Sequence, residues 1–225
     1  MRRVLFILII VIAANKLHAQ RPETGAWLAV QAPVNFSKHW QWHNDAGYRT
    51  LGTSAEPLQY LYRTGARYNF NKQWSTAAGI AFFYTRTSFL KTNNEFGHEF
   101  RFWEEANRLK QISSKTQWQL RLRTEQRFFA ATSGKAKYTA YRFRFRTGVT
   151  QKLNDKWDLQ LADEYMQQYA NQKFSFDQNR VMLSGVYHLN SSTQLQGGYM
   201  WLKWPKEHQH ILTISFIKKI SLHGA

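Results

Sequence analysis

The chain has 225 residues, no cysteine, and 31 Lys and Arg against 14 Asp and Glu, which gives a formal net charge of +17. Without cysteine there can be no disulfide bonds, nor the lipid attachment that bacterial lipoproteins receive at a cysteine. After the first twenty residues the longest purely apolar stretch is Ala77 to Phe83, far below the roughly 20 residues that a membrane-spanning helix needs.

The first twenty residues have the pattern of a secretory signal peptide. A basic start is followed by an apolar run from Val4 to Ala14 and by the small residue Ala19. We therefore predict that residues 1–19 are cleaved and that residues 20–225 form one domain. Cleavage removes three basic residues and no acidic one, so the charge of +17 falls to +14. Such a charge suits nucleic acid or an anionic membrane as partner, and the export signal argues against nucleic acid.

From residue 25 onward, apolar and polar side chains alternate with a period of two, which is typical of strands with one apolar and one polar face. The alternation is clearest in residues 116–129, where Trp118, Leu120 and Leu122 share one face and four charged side chains occupy the other. The predicted strands are 25–34, 38–49, 57–70, 73–87, 97–109, 116–129, 137–151, 156–167, 175–189, 193–203 and 208–218.

This pattern predicts an all-β fold, an antiparallel up-and-down transmembrane β-barrel of about ten to twelve strands. Bacterial single-chain barrels have even strand numbers. We therefore expect that one of the eleven segments is either incomplete or split in two.

Short polar turns separate the strands at regular intervals, and a tryptophan follows four of them. These residues, Trp40, Trp74, Trp118 and Trp157, are spaced by about two strands and their connections. Indole rings favour the membrane–water interface, so we interpret the four tryptophans as an aromatic girdle at the periplasmic side. The polar segments Thr87 to Gly97, Thr132 to Lys137 and Gln167 to Ser175 are then the outer loops.

Several motifs together resemble a family of Bacteroidota-type outer-membrane proteins that is defined only as a domain of unknown function. The motifs are Leu120 to Phe128, Tyr141 to Arg146, Trp27, Glu99 to Trp103, Glu164, Asp177 to Arg180 and Gly185 to Tyr187. The resemblance covers nearly the whole mature chain and implies a barrel. It brings no activity, substrate or catalytic residue with it.

The charged face of the central strands is the strongest candidate site. In a membrane barrel these side chains must face the lumen, because Arg or Lys on the lipid face at mid-depth costs about 2–4 kcal/mol. The predicted lumen-facing ionic residues are Arg121, Arg123, Glu125, Arg127, Arg142, Arg144, Arg146, Glu164, Arg180, Glu99 and Arg101, with Glu105 beside them.

Four functions are compatible with this pattern. A guanidinium-lined lumen could pass or bind small anionic solutes. Alternatively, Arg and Glu could pair across a narrow interior and form a structural plug. An outer-membrane lipid-modifying enzyme would need a nucleophile beside a base, and no such motif is recognised. A soluble periplasmic ligand-binding barrel would need its arginines on the outside.

We expect the protein to lie in the bacterial outer membrane, in contact with its lipid. During biogenesis the barrel-insertion machinery is the expected partner, with Phe216 in the last strand as its recognition residue. No cofactor and no metal site are predicted, because His208 and His210 share a strand face without further ligands.

Overall fold

A computed structural model describes residues 22–90 and 94–222 of the chain, so the predicted signal peptide lies outside the described residues. The described part is all-β, as predicted, and contains no helix that could cross a membrane. Its thirteen strands are β1 (Thr24–Gln31), β2 (Val34–Asn35), β3 (Trp40–Thr50), β4 (Pro57–Asn69), β5 (Trp74–Arg86), β6 (Phe96–Gln111), β7 (Thr116–Phe129), β8 (Tyr138–Lys152), β9 (Trp157–Ala170), β10 (Lys173–Asn190), β11 (Thr193–Lys203), β12 (His208–Lys218) and β13 (Ile220–Ser221).

Eleven of these strands form a closed barrel. From β3 to β12, each strand pairs with the next strand along the chain, always antiparallel. The ring closes through β1, which pairs antiparallel with β3 and parallel with β12. Trp27 therefore lies opposite Arg49 on one side and opposite Thr213 on the other. The two-residue strands β2 and β13 extend β1 and β12 and pair with each other in parallel.

The barrel lies within the predicted range of ten to twelve strands, but the expectation of an even strand number is wrong. All eleven predicted segments are strands. A purely antiparallel ring needs an even number, because strand direction must alternate around it. The parallel β1–β12 pairing removes this requirement, since two neighbours there run the same way.

The two ends of the barrel differ. At one end, here called the turn end, successive strands are joined by turns of two to four residues; the opposite end, the loop end, has the longer connections 51–56, 87–95 and 130–137. Strands β6 to β10 have 14 to 18 residues, whereas β1, β3, β11 and β12 have 8 to 11. The wall is therefore taller on the β6–β10 side.

One predicted loop is wrong. Gln167 to Ser175 was expected to be an outer loop, but β9 and β10 continue as a ladder to Ala170 and Lys173. The connection is a two-residue turn in which Asn171 and Gln172 have φ values of 50° and 59°. Positive φ at both central residues is the geometry of a tight hairpin turn, and the polar sequence of this segment concealed it.

Side chains alternate between the two faces of the barrel wall, with polar side chains on the inside and apolar side chains on the outside, the reverse of a soluble protein. In the described residues, eighteen polar or charged side chains are buried, against twelve hydrophobic ones. Large apolar side chains on the outside stay exposed, such as Leu161 at 55% and Leu212 at 56%. The barrel is therefore charged inside and apolar outside.

Candidate functional site

A connected set of ion pairs fills the interior along the tall side of the wall. Glu99 on β6 contacts both Arg101 and Arg127, with 2.6 Å between Glu99 Oε1 and Arg101 Nε. Arg101 continues to Glu125 on β7 at 3.0 Å, and Glu125 contacts Arg144 on β8 at 2.6 Å. One chain of contacts thus links three neighbouring strands.

Glu164 on β9 joins arginines of three other strands. Its oxygens lie 2.5 Å from Arg121, 2.8 Å from Arg144 and 3.4 Å from Arg180. The residue is 1% exposed. A buried carboxylate is tolerated when cations and hydrogen-bond donors surround it, and three arginines from three strands supply both.

Three further pairs extend the set towards β4 and β10. Glu105 contacts Arg123 at 2.5 Å and Arg67 at 2.8 Å, and Arg142 Nε lies 2.8 Å from Asp177. The ionic network, as used below, consists of Arg67, Glu99, Arg101, Glu105, Arg121, Arg123, Glu125, Arg127, Arg142, Arg144, Glu164, Asp177 and Arg180.

The structure places all eleven ionic residues selected from the sequence on the inner face of the barrel wall. Ten of them make ion pairs with described residues. The exception is Arg146, which lines the interior without a carboxylate within 4.0 Å in the described part of the chain.

Sequence reasoning missed a second charged group on β3 and β4. Arg63 donates to both oxygens of Asp45, and His43 Nε2 lies 3.4 Å from the same carboxylate. Arg49 follows on the same inner face of β3. The odd-numbered positions of β3 carry this polar pattern, but Gly47 interrupts it, so the strand gave a weaker signal than β7 or β8.

A cavity of about 1100 Å³ lies between the ionic network and the opposite wall. Twelve arginines but only six carboxylates line it. The opposite wall, from β1, β3, β11 and β12, contributes small side chains such as Ala29, Gly47 and Ser215. The lining reaches the 87–95 and 130–137 loops at the loop end, and Gln160 and Gln196 towards the turn end. The arginine–glutamate pairs therefore leave part of the interior open.

The four predicted girdle tryptophans all lie on the outer face at the turn end, each at or near the start of a strand. Trp40, Trp74 and Trp157 are more than 40% exposed. Trp118 donates through Nε1 to Thr147 Oγ1 at 2.9 Å. The row thus has a common height and a common outward direction.

At the loop end, Glu95 connects two loops beside the cavity. Its carboxylate accepts hydrogen bonds from the Ser133 amide at 2.8 Å and the Ser133 hydroxyl at 2.5 Å, and from Thr87 Oγ1 at 3.1 Å. These bonds to the ionised form, from the Ser133 hydroxyl first and its amide second, lower the pKa of Glu95.

His188 and His210 contact polar side chains of neighbouring strands. His188 Nε2 lies 2.8 Å from Asp158, but its Nδ1 contacts the Gln194 amide rather than a hydroxyl. His210 Nδ1 contacts the Tyr199 hydroxyl at 2.6 Å. No group of three or more His, Cys, Asp or Glu is placed to hold a metal ion in the described residues.

The fold and the interior together define a closed β-barrel protein with an arginine-rich core and an apolar outer surface. The family described as "protein of unknown function (DUF2490)" matches residues 24–208, and the chain belongs to this family. The match confirms the resemblance to a family defined only by a domain of unknown function. No curated protein matches the chain.

Proposed function

We propose that this protein is an outer-membrane barrel whose interior binds or passes small anionic solutes. The observation that carries the proposal is the imbalance in the cavity, where twelve arginines and only six carboxylates line a continuous space of about 1100 Å³. Fixed guanidinium groups offer paired donors to carboxylates and phosphates, and a basic, partly enclosed lumen concentrates anions.

The inverted distribution of side chains supports the membrane location. A soluble barrel would bury its apolar face and expose its arginines, whereas here Arg123 and Arg144 are buried and Leu122 and Phe145 lie exposed between them. In lipid this inversion is favourable, because the exterior has apolar surroundings and a closed ring leaves no unpaired backbone edge.

The structural-plug alternative accounts for one wall of the interior. The ionic network pairs eight arginines with five carboxylates on β4 and β6 to β10, and such a cluster stabilises the barrel without a solute. Along β1, β3, β11 and β12 the lining includes small side chains such as Ala29, Gly47 and Ser215. Two arginines that face the cavity, Arg49 and Arg146, have no carboxylate within 4.0 Å among the described residues. We therefore favour a solute site over a complete plug.

Membrane insertion can be tested by expressing the chain and comparing the gel mobility of the outer-membrane fraction before and after boiling. Closed membrane barrels resist detergent until heated, so we expect a heat-dependent shift. Soluble periplasmic material without a shift would contradict the membrane location.

Anion preference can be tested in planar bilayers under a salt gradient. The sign of the reversal potential shows whether anions or cations pass preferentially, and we expect the sign that corresponds to anions. Arg146→Gln removes one unpaired lumen charge and should weaken the preference. Arg108→Gln is the matched control, because Arg108 lies on the outer face near Trp74 and its loss should leave the reversal potential unchanged. Absence of conductance would favour the plug, and cation preference would contradict an anion-selective lumen.

A further inference from the structure

We propose that Trp27, Arg49 and Arg180 form a binding site for an organic carboxylate with an apolar body. This inference rests on the proposed function and deepens it, since it names the class of anion and its place in the cavity. The three residues come from β1, β3 and β10 and line the same cavity.

Arg49 is, like Arg146, a lumen arginine without an ion pair among the described residues. It donates no side-chain hydrogen bond to them either, and it lies beside Trp27, its partner in the β1–β3 ladder. The charged side chains with the largest influence on it are arginines, among them Arg63 and Arg180. A guanidinium held among cations in a partly enclosed space favours an anion from outside the chain.

Trp27 fixes the position of this guanidinium. Arg49 Cζ lies 3.7 Å from the centre of the Trp27 ring, and Arg180 Cζ lies 5.0 Å from it. Both distances are within the range of cation–π contact. Stacking of the guanidinium holds its face against the indole, so the N–H groups at its edge remain available to a planar acceptor such as a carboxylate.

An apolar cluster adjoins these cations. Met200, Leu202 and Ile211 are buried together, and Trp27, Met182 and Trp204 pack against them. Trp27 therefore belongs both to the cationic site and to the apolar cluster. A ligand that places a carboxylate at Arg49 has apolar side chains next to it, which favours an organic anion over inorganic phosphate.

The ligand classes can be compared by titration calorimetry on the full-length protein in a non-ionic detergent, with benzoate, formate and inorganic phosphate as probes. We expect benzoate to bind more tightly than formate or phosphate. Equal affinities for the three anions, or tighter binding of phosphate, would overturn the apolar part of the site.

The position of the site is tested with two variants. Arg49→Gln should weaken benzoate binding about tenfold or more, as expected for loss of a charge-assisted hydrogen bond. Arg146→Gln is the comparison variant, because it also removes an unpaired lumen arginine, but on β8 and away from Trp27. It lowers the positive charge of the lumen without removing a contact of the site, so it should weaken benzoate binding by no more than about twofold.

The outcomes separate this inference from the proposed function. Equal weakening by both variants would show that only net charge matters, so that the anion-attracting lumen stands and the Trp27 site falls. Bilayers without conductance would refute permeation, while calorimetry would still report the site. If Arg49→Gln lacks the heat-dependent gel shift, Arg49→Lys and Trp27→Leu test the same contacts. Benzoate binding that neither variant weakens would refute the site.

Discussion

Two glutamates on neighbouring parts of the wall show how the face of a strand determines what a carboxylate does. Glu164 faces inward and contacts three arginines. Glu104 faces outward on β6 between Ala78 and Thr124, is exposed, and makes no ion pair with the described residues. A glutamate on the inner face is thus part of the ionic network, whereas a glutamate on the outer face has no ion-pair partner among the described residues.

We expect opposite results from the same substitution at these positions. Glu164→Gln leaves the buried Arg144 and the partly buried Arg121 and Arg180 without their shared charge, and removing one partner of a buried pair costs about 3–5 kcal/mol. The boiling-dependent gel shift should therefore occur at a lower temperature, with urea unfolding in detergent as a second measure. Glu104→Gln removes a charge from the outer surface and should unfold no earlier than the unmodified protein. Early unfolding of the Glu104 variant would contradict its unpartnered role.

Glu95 provides a pH-dependent contact at the loop end. Its pKa is lowered in the folded protein, so the stabilisation from the Ser133 hydrogen bonds is fully present above the unfolded pKa and disappears as the pH falls through the lower folded pKa. The 130–137 loop should therefore become more mobile only in acid.

This mobility can be measured with a spin label at Gly134→Cys, where an added Cβ meets no atom within 4 Å and the chain offers no competing cysteine. The line shape should sharpen as the pH falls. In a Glu95→Gln background the loop should already be mobile at neutral pH. A line shape that is independent of both changes would show that Ser133 does not hold the loop.

At the level of elements, the repeated turn sequence is explained by hydrogen bonds to the backbone. Asn71 Oδ1 accepts hydrogen bonds from the backbone amides of Gln73 and Trp74. In the same way, Asn154 Oδ1 accepts from the amides of Lys156 and Trp157. Ser37 plays this part before β3. Such side chains favour tight turns. The sequence repeat could be recognised because it encodes turn chemistry at a fixed place.

The close approach of β4 and β5 depends on glycine. A Cβ at Gly79 would lie 2.1 Å from Thr64 O and 2.6 Å from Trp103 Cζ2. Trp103 occupies this space and donates through Nε1 to Ile80 O at 3.1 Å. Gly79→Ala should therefore destabilise the barrel by about 1–3 kcal/mol, the usual range for overpacking.

Gly197 on β11 is the matched control for Gly79, because a Cβ there meets no atom within 4 Å. Gly197→Ala should leave the urea midpoint unchanged or slightly raised, since alanine restricts the unfolded chain. Equal destabilisation by both substitutions would mean that the crowding against Thr64 and Trp103 does not control the result.

At the level of the whole molecule, the sequence predicted the strand segments and the face of the wall on which their side chains lie. It did not predict how the two ends of the sheet pair to close the barrel. Period-two alternation is a local property, so it located β7 and β8 and the inner face of their arginines. Pairing between β1 and β12 joins residues such as Thr24 and His210, which are 186 positions apart, and no local pattern records their direction. The Trp27–Arg180 contact was missed for the same reason, since β1 and β10 come together only after closure.

Parallel closure places the start of β1 at the loop end and β13 at the turn end. With the loop end outside the cell, as the proposed outer-membrane location requires, Thr24→Cys should react with a membrane-impermeant maleimide on intact cells and Ser221→Cys should be protected. Both should react after permeabilisation. Equal labelling on intact cells would indicate an even-stranded, antiparallel closure with both positions at one end.

The β1–β12 seam also implies an order of assembly. Each other strand pair of the ring joins strands that follow one another in sequence, so it can form as a hairpin at small entropic cost. The seam instead requires the two ends of the sheet to meet across almost the whole chain, which is the most costly loop to close. Until it closes, β1 and β12 are open edges of a curved sheet, able to pair with another strand. We therefore expect the last and slowest step of barrel formation to be the pairing of these two edges into a parallel ladder of eight residue pairs.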